Sequence, residues 1–217
     1  MRFKVLIFDW DGTLVDSVAH IAGSLRLAAA ELGFPDRPEA ALRDIIGLGM
    51  VEALQRLYPG IDQKAMEALR KAYARHFFAR ETTPSQVFDG VTRLLEQAAV
   101  QGCRLAVATG KSRHGLDLAL ASTGLGRYFE LTRCADETAS KPDPQMLREI
   151  IGVLGVSPAE AVMIGDTTYD MDMAQRMAMP GIGVSWGVHD EQAMRVHQPL
   201  AVVDSLGRLA AELELAG

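Results

Sequence analysis

Cysteine is nearly absent from this chain: Cys103 and Cys134 are the only two in 217 residues, with no Cys-x-x-Cys pair and no histidine at metal spacing. That excludes a disulfide scaffold and a thiolate zinc site, and both read as free thiols of a reducing compartment. Long apolar runs are missing too. Val5-Leu6-Ile7-Phe8 is stopped by Asp9, too short for the core of a signal peptide, and no later run approaches a membrane span. The expectation is a cytoplasmic protein with no membrane partner. Positive charge is also scarce, with 22 Lys and Arg against 28 Asp and Glu, a net charge of -6, and no basic run longer than two. That balance disfavours binding to a nucleic-acid backbone.

What is present describes an ordinary soluble globular chain, 48% hydrophobic and 23% charged. Its length exceeds the norm of about 150 residues per domain, which implies one domain with a large insertion or two small ones. The run Val5 to Phe8 reads as a buried strand opening into the loop Asp9-Trp10-Asp11-Gly12-Thr13. No comparable strand follows before about Pro84. Instead Val18, Ile21, Ala22, Leu25, Ala29 and Leu32 take helical spacing, as do Met66, Leu69, Tyr73 and Phe77, with breaks at Gly33 to Pro38 and Pro59-Gly60.

After Pro84, short apolar runs (Leu105 to Ala108, Ala161 to Ile164, Ile182 to Val184, Leu200 to Val203) alternate with amphipathic helices. Strands separated by helices predict a parallel sheet covered on both faces. The fold class is therefore α/β: a Rossmann-like core of residues 1–15 and 85–217, interrupted by an all-helical insertion of residues 16–84 placed as a lid. The methionines Met171, Met173, Met177 and Met179 read as core packing.

Ligand sites in open parallel sheets lie at the carboxyl ends of strands, and there the sequence turns polar. Asp9 and Asp11 sit one residue apart and repel each other, an arrangement favoured when a cation or shared proton lies between them. A loop of solvated or capping acids gives the same letters. Thr109-Gly110-Lys111-Ser112 ends the next strand with a hydroxyl, a bare backbone and a helix start, which suit an oxyanion or an ordinary N-cap. Asp166 and Asp170, four residues apart, can face one point. Lys141 precedes Pro142, which restricts its backbone. Each cluster alone has a bland explanation as capping or a solvated side chain, but all fall at one edge of the proposed sheet.

Phe8-Asp9-Trp10-Asp11-Gly12-Thr13, Thr109, Lys141 and Gly165-Asp166-x-x-x-Asp170 together resemble the four ordered motifs of the haloacid dehalogenase-like hydrolases. The likeness is closest to their phosphoglycolate-phosphatase-like branch, whose helical cap falls where this insertion lies. The resemblance implies a Mg²⁺-dependent phosphatase acting on a small phosphorylated metabolite, with 2-phosphoglycolate as the family-derived first guess. By the same resemblance Asp9 is the nucleophile, and Asp11 protonates the leaving group and then activates water. Thr109 and Lys141 bind phosphoryl oxygens. The resemblance also implies that the cation is held by Asp9, Asp11 through its backbone carbonyl and Asp166, with Asp170 assisting directly or through water. Gly110 stands where many relatives have Asn, and Trp10 is a bulky choice between the aspartates.

Thr13, Gly110 and the cap segment carrying Arg43, Gly47 and Gly49 are the expected substrate contacts, Arg43 either as partner of a substrate carboxylate or in an ordinary surface ion pair with Asp44 and nearby acids. His114 is the histidine nearest Thr109. A phosphosugar mutase of the same superfamily and a catalytically silent binding protein are the alternatives. The protein is expected as a monomer or homodimer.

Overall fold

The computed structural model describes residues 2–79 and 86–215. The expected boundary between Pro84 and residue 85 lies outside the described residues. The first strand, β1 (Val5–Phe8), enters the loop at Asp9 and is followed by a two-residue strand β2 (Val15–Asp16). Four helices come next: α1 (Val18–Glu31), α2 (Glu39–Asp44), α3 (Met50–Leu57) and α4 (Gln63–Ala79). Two of the three breaks between them fall at Gly33 to Pro38 and Pro59-Gly60, as read from the sequence, and the third, between α2 and α3, falls at Ile45 to Gly49, which was not read as a break.

The chain returns through β3 (Gln86–Val87) and α5 (Val91–Val100). It then alternates through β4 (Arg104–Thr109), α6 (Arg113–Thr123), β5 (Leu131–Cys134), α7 (Gln145–Leu154) and β6 (Ala161–Gly165). The remainder is α8 (Thr168–Arg176), β7 (Gly181–Val184), α9 (Glu191–Arg195), β8 (Ala201–Val203) and α10 (Leu206–Glu212).

Six strands form one parallel sheet in the order β5-β4-β1-β6-β7-β8. β1 is apolar throughout because both of its faces are covered. Leu6 and Phe8 join one core with Leu105, Val107, Val162 and Ile164 under α5 and α10. Val5 and Ile7 join the opposite core with Ala106, Ala108 and Met163 under α7 and α8. Met173, Met177 and Met179 pack into that second core, as expected.

The chain builds β4 and β5 on one side of β1, then crosses to build β6, β7 and β8 on the other. The reversal beside β1 opens a crevice at the strands' carboxyl ends, the ordinary ligand position of such sheets. Register aims three strand ends at it, since Phe8 lies beside Val107 and Ile164. Asp9 follows Phe8 directly, and Thr109 and Asp166 lie two residues beyond Val107 and Ile164.

Helices α1 to α4 bury a separate apolar cluster, including Leu25, Leu42, Leu54, Leu69 and Phe77, with α1 packed along α4. Two connections tie this helical cap to the sheet. They meet in an antiparallel ribbon, Val15 opposite Val87 and Asp16 opposite Gln86, which the sequence reading did not contain. Two-residue strands are too short to leave a periodic signal. The edge strand β5 was missed for another reason: Leu-Thr-Arg-Cys is only half-buried and shows no apolar run. Trp10 is fully packed, edge-on to Phe129 with centroids 6.2 Å apart, so the indole is core. Among the described residues no helix is long and apolar enough to cross a membrane.

Candidate active site

The loop after β1 folds back on itself: the Trp10 carbonyl accepts from the Leu14 and Val15 N–H groups, and Gly12 N–H donates to Val15 O. Gly12 takes a left-handed φ of 81°, and a Cβ there would run into the Asp166 carboxylate. The tight turn therefore lets Asp9 and Asp166 approach. Asp9, Asp166 and Asp170 are all buried and offer carboxylate oxygens within 4.8 Å of one another.

Lys141 is 1% exposed, and its Nζ lies 2.7 Å from Asp9 Oδ1 and 2.7 Å from Asp170 Oδ1. It reaches them from the segment before α7. The second oxygen of Asp170 accepts from Thr167 N–H and Oγ1 (3.2 and 2.6 Å), a reciprocal cap of α8. Asp166 accepts from Thr13 Oγ1 (2.9 Å) and Val188 N–H (2.8 Å). Asp9 Oδ2 is buried and has no hydrogen-bond donor among the described residues. An unpartnered buried carboxylate oxygen is costly unless something else binds it.

Burial pushes the Asp9 carboxyl well above its usual range, with the charges of Asp170 and Asp166 adding to the effect and Lys141 opposing it. Burial and Asp170 push Asp166 up to about 7, against the Val188 and Thr13 hydrogen bonds. Lys141 is driven down by burial, but the charges of Asp170 and Asp9 outweigh this and hold it above the usual lysine value. Three carboxylates against one ammonium leave the cluster short of positive charge. Its donors are all oxygen, with no sulfur or imidazole, and one oxygen is unused; this set fits a hard divalent cation.

Asp11 points elsewhere. Its Oδ1 accepts from Ser17 Oγ (2.6 Å) and lies 3.0 Å from Lys111 Nζ, so its carboxylate is outside the three-carboxylate cluster. Thr109 is fully buried at the end of β4, and its Oγ1 accepts from Lys111 N–H (3.2 Å). The sequence reading gave Lys111 and Ser17 no role. Their signals were modest: a lysine two residues past a strand end, and a serine before a helix.

Gly47, Gly49 and Gly110 line the cavity beside Asp11, as a substrate contact would, while Thr13 and Arg43 do not. The Thr13 hydroxyl orients Asp166. Arg43 donates to the Gly187 carbonyl (3.4 Å), tying the cap to the core, and does not line the cavity beside Asp11. Gly49 N–H donates to Ser140 Oγ (2.7 Å), and a Cβ on Gly47 would stand 3.3 Å from Thr167. At Gly110 a Cβ would lie 2.6 Å from the carbonyl oxygens of Gly47 and Leu48. Backbone is packed on backbone there, which explains the departure from Asn. Tyr169 OH donates to Asp44 O (2.7 Å), a further contact closing the cap. His114 lines the cavity edge-on to Phe78, and both cysteines are buried without a disulfide.

Residues 6–184 match the family model for haloacid dehalogenase-like hydrolases. The chain belongs to that family. This hydrolase is 35% identical over 211 residues to the probable phosphatase IndB of Dickeya dadantii, covering 94% of this chain and 91% of that one. It is 32% identical over 216 residues to a phosphoglycolate phosphatase of Thiobacillus denitrificans, covering 97% and 95%. Its fold is that of a predicted phosphatase from Clostridium acetobutylicum, with a TM-score of 0.88, 24% identity and 99% of each chain covered. The hydrolase is a phosphatase, acting on phosphoric monoesters, and falls in the phosphoglycolate-phosphatase-like branch.

Proposed function

We propose that the enzyme is a Mg²⁺-dependent phosphatase that hydrolyses a small phosphorylated metabolite in the cytoplasm through an aspartyl-phosphate on Asp9. One observation carries the reading: Asp9 meets Lys141, Asp166 and Asp170 at a single buried point, with its Oδ2 unpartnered. A buried carboxylate left that way is suited to attack rather than to stability.

Bound by the carboxylates of Asp9, Asp166 and Asp170 and the Asp11 carbonyl, Mg²⁺ would supply the charge that offsets repulsion between Asp9 and a phosphate dianion. An Asp9 carboxylate oxygen attacks phosphorus in line, and the bond to the ester oxygen breaks. Asp11 gives that oxygen a proton, then takes one from the water that attacks the aspartyl-phosphate. Ser17 and Lys111 hold the Asp11 carboxylate in place through this exchange. Lys141 directs two of its three donors at Asp9 and Asp170, which leaves one for a phosphoryl oxygen. Thr109 offers its hydroxyl to another.

On this reading residues 16–84 form a lid over a core of residues 1–15 and 85–217, and lid contacts such as Arg43 to Gly187 exclude water from the site. The name of the Thiobacillus relative makes 2-phosphoglycolate the first substrate to assay. The test is phosphate release across phosphorylated metabolites with Mg²⁺, with EDTA, and by Asp9→Asn. Release that needs Mg²⁺ and is lost in the variant is expected; no release from any ester would overturn the reading.

A further inference from the structure

The space beside Asp11 is a cavity of about 620 Å³ between the cap and the core. Its walls are mainly apolar: Ile21, Leu25, Ile46 and Met50 from the cap, with Tyr73 and Phe77 on α4. The rings are contiguous. Tyr73 and Phe77 have centroids 5.6 Å apart, Phe77 and Phe78 meet edge-on at 5.5 Å, and Phe78 touches His114 at 5.8 Å. Lys111 joins the wall to the chemistry, its Nζ 3.0 Å from Asp11 Oδ1 and 5.1 Å from the Phe77 ring centroid.

The proposed mechanism, on which this inference rests, has Asp11 protonate the departing alcohol oxygen. The alcohol part of the ester therefore lies on the Asp11 side, where the cavity is. A two-carbon acid would leave most of that space unfilled and would carry a carboxylate into an apolar wall. The cations on the lining are already engaged: Lys111 with Asp11, and Arg70 with Glu67 through paired 2.9 Å bonds. Arg43, the expected carboxylate partner, is bonded to Gly187. We infer that the preferred substrate is a phosphate monoester of a bulky alcohol carrying an apolar or aromatic ring, and that the ring sits against Tyr73, Phe77 and Phe78.

Benzyl phosphate, ethyl phosphate and 2-phosphoglycolate test this with the full chain and Mg²⁺, since benzyl and ethyl alcohols are leaving groups of similar basicity. Benzyl phosphate is expected to exceed both others in kcat/KM by about tenfold or more. Ala74→Phe, which fills the cavity from α4, should cut the benzyl-to-ethyl ratio by about tenfold. Phe78→Ala should lower the same ratio, and its side chain is 37% exposed, so folding is not at stake. Benzylphosphonate should raise the Tm more than ethylphosphonate does. Phosphate release without preference for benzyl phosphate, or with 2-phosphoglycolate preferred, overturns the inference while leaving the phosphatase intact. If no ester is hydrolysed, the phosphatase mechanism fails, and the phosphonate Tm order alone decides the cavity: benzyl above ethyl upholds it, equal shifts overturn it.

Discussion

The Cα of Gly110 faces the carbonyl oxygen of Gly47 so closely that a Cβ on Gly110 would stand 2.6 Å from it. Both neighbours in this contact are backbone, so neither can rotate away. Gly110→Ala should separate the cap loop from the β4 loop at a cost of about 1–3 kcal/mol. Small-angle scattering should show a larger radius of gyration than the parent, and kcat/KM should fall with the cap loop displaced from the β4 loop.

Lys141→Met removes the ammonium that bridges Asp9 and Asp170. Breaking a buried pair by deleting one partner costs about 3–5 kcal/mol. Urea unfolding in EDTA should show a loss of that size. Mg²⁺ should recover part of it, because the cation supplies charge to the same carboxylates, and phosphatase activity should stay at background.

Ser17→Ala leaves Asp11 in place but removes its 2.6 Å donor. Because Ser17 touches Asp11 rather than substrate, kcat should fall about tenfold with KM nearly unchanged.

The metal-free enzyme should lose stability as pH rises from about 4 to about 7. Asp166 keeps its proton up to about 7 when folded, against a usual value of 3.8. In that window the folded state binds more protons than the unfolded one, so the slope of stability against pH is negative. Mg²⁺ requires the ionised carboxylates, so the Tm gain it gives should be larger at about pH 8 than at about pH 5. Thermal melts with EDTA and with Mg²⁺ at both pH values check the sign.

The core strands were legible because Val5 to Phe8 and Ala161 to Ile164 are buried on both faces and so are apolar without interruption. The acids at their ends stood out for the same reason, as polar residues directly after apolar runs. β5 and the ribbon of Val15 with Val87 were not legible, one being half-buried and the other too short. At the candidate site the sequence placed Asp9, Lys141, Asp166 and Asp170 together, but it did not reveal how their neighbours are used. Thr13 serves Asp166 and Arg43 serves the Gly187 carbonyl, and such pairings depend on residues 153 and 144 positions away in the chain. Lys111 lies beside Asp11 only because the β1 and β4 loops converge, whereas Ser17 is six residues on in the same segment and is turned back onto Asp11 by the fold of that loop.

The central claim is that Asp9 carries the phosphoryl group. Acid quenching during turnover with Mg²⁺ and a hydrolysed ester, followed by mass spectrometry of the peptides, tests it most directly. The account predicts one added phosphoryl group on the peptide containing Asp9, absent with EDTA and absent in Asp9→Asn. A phosphoryl group on any other residue, or turnover with none trapped while Asp9→Asn stays active, would contradict it.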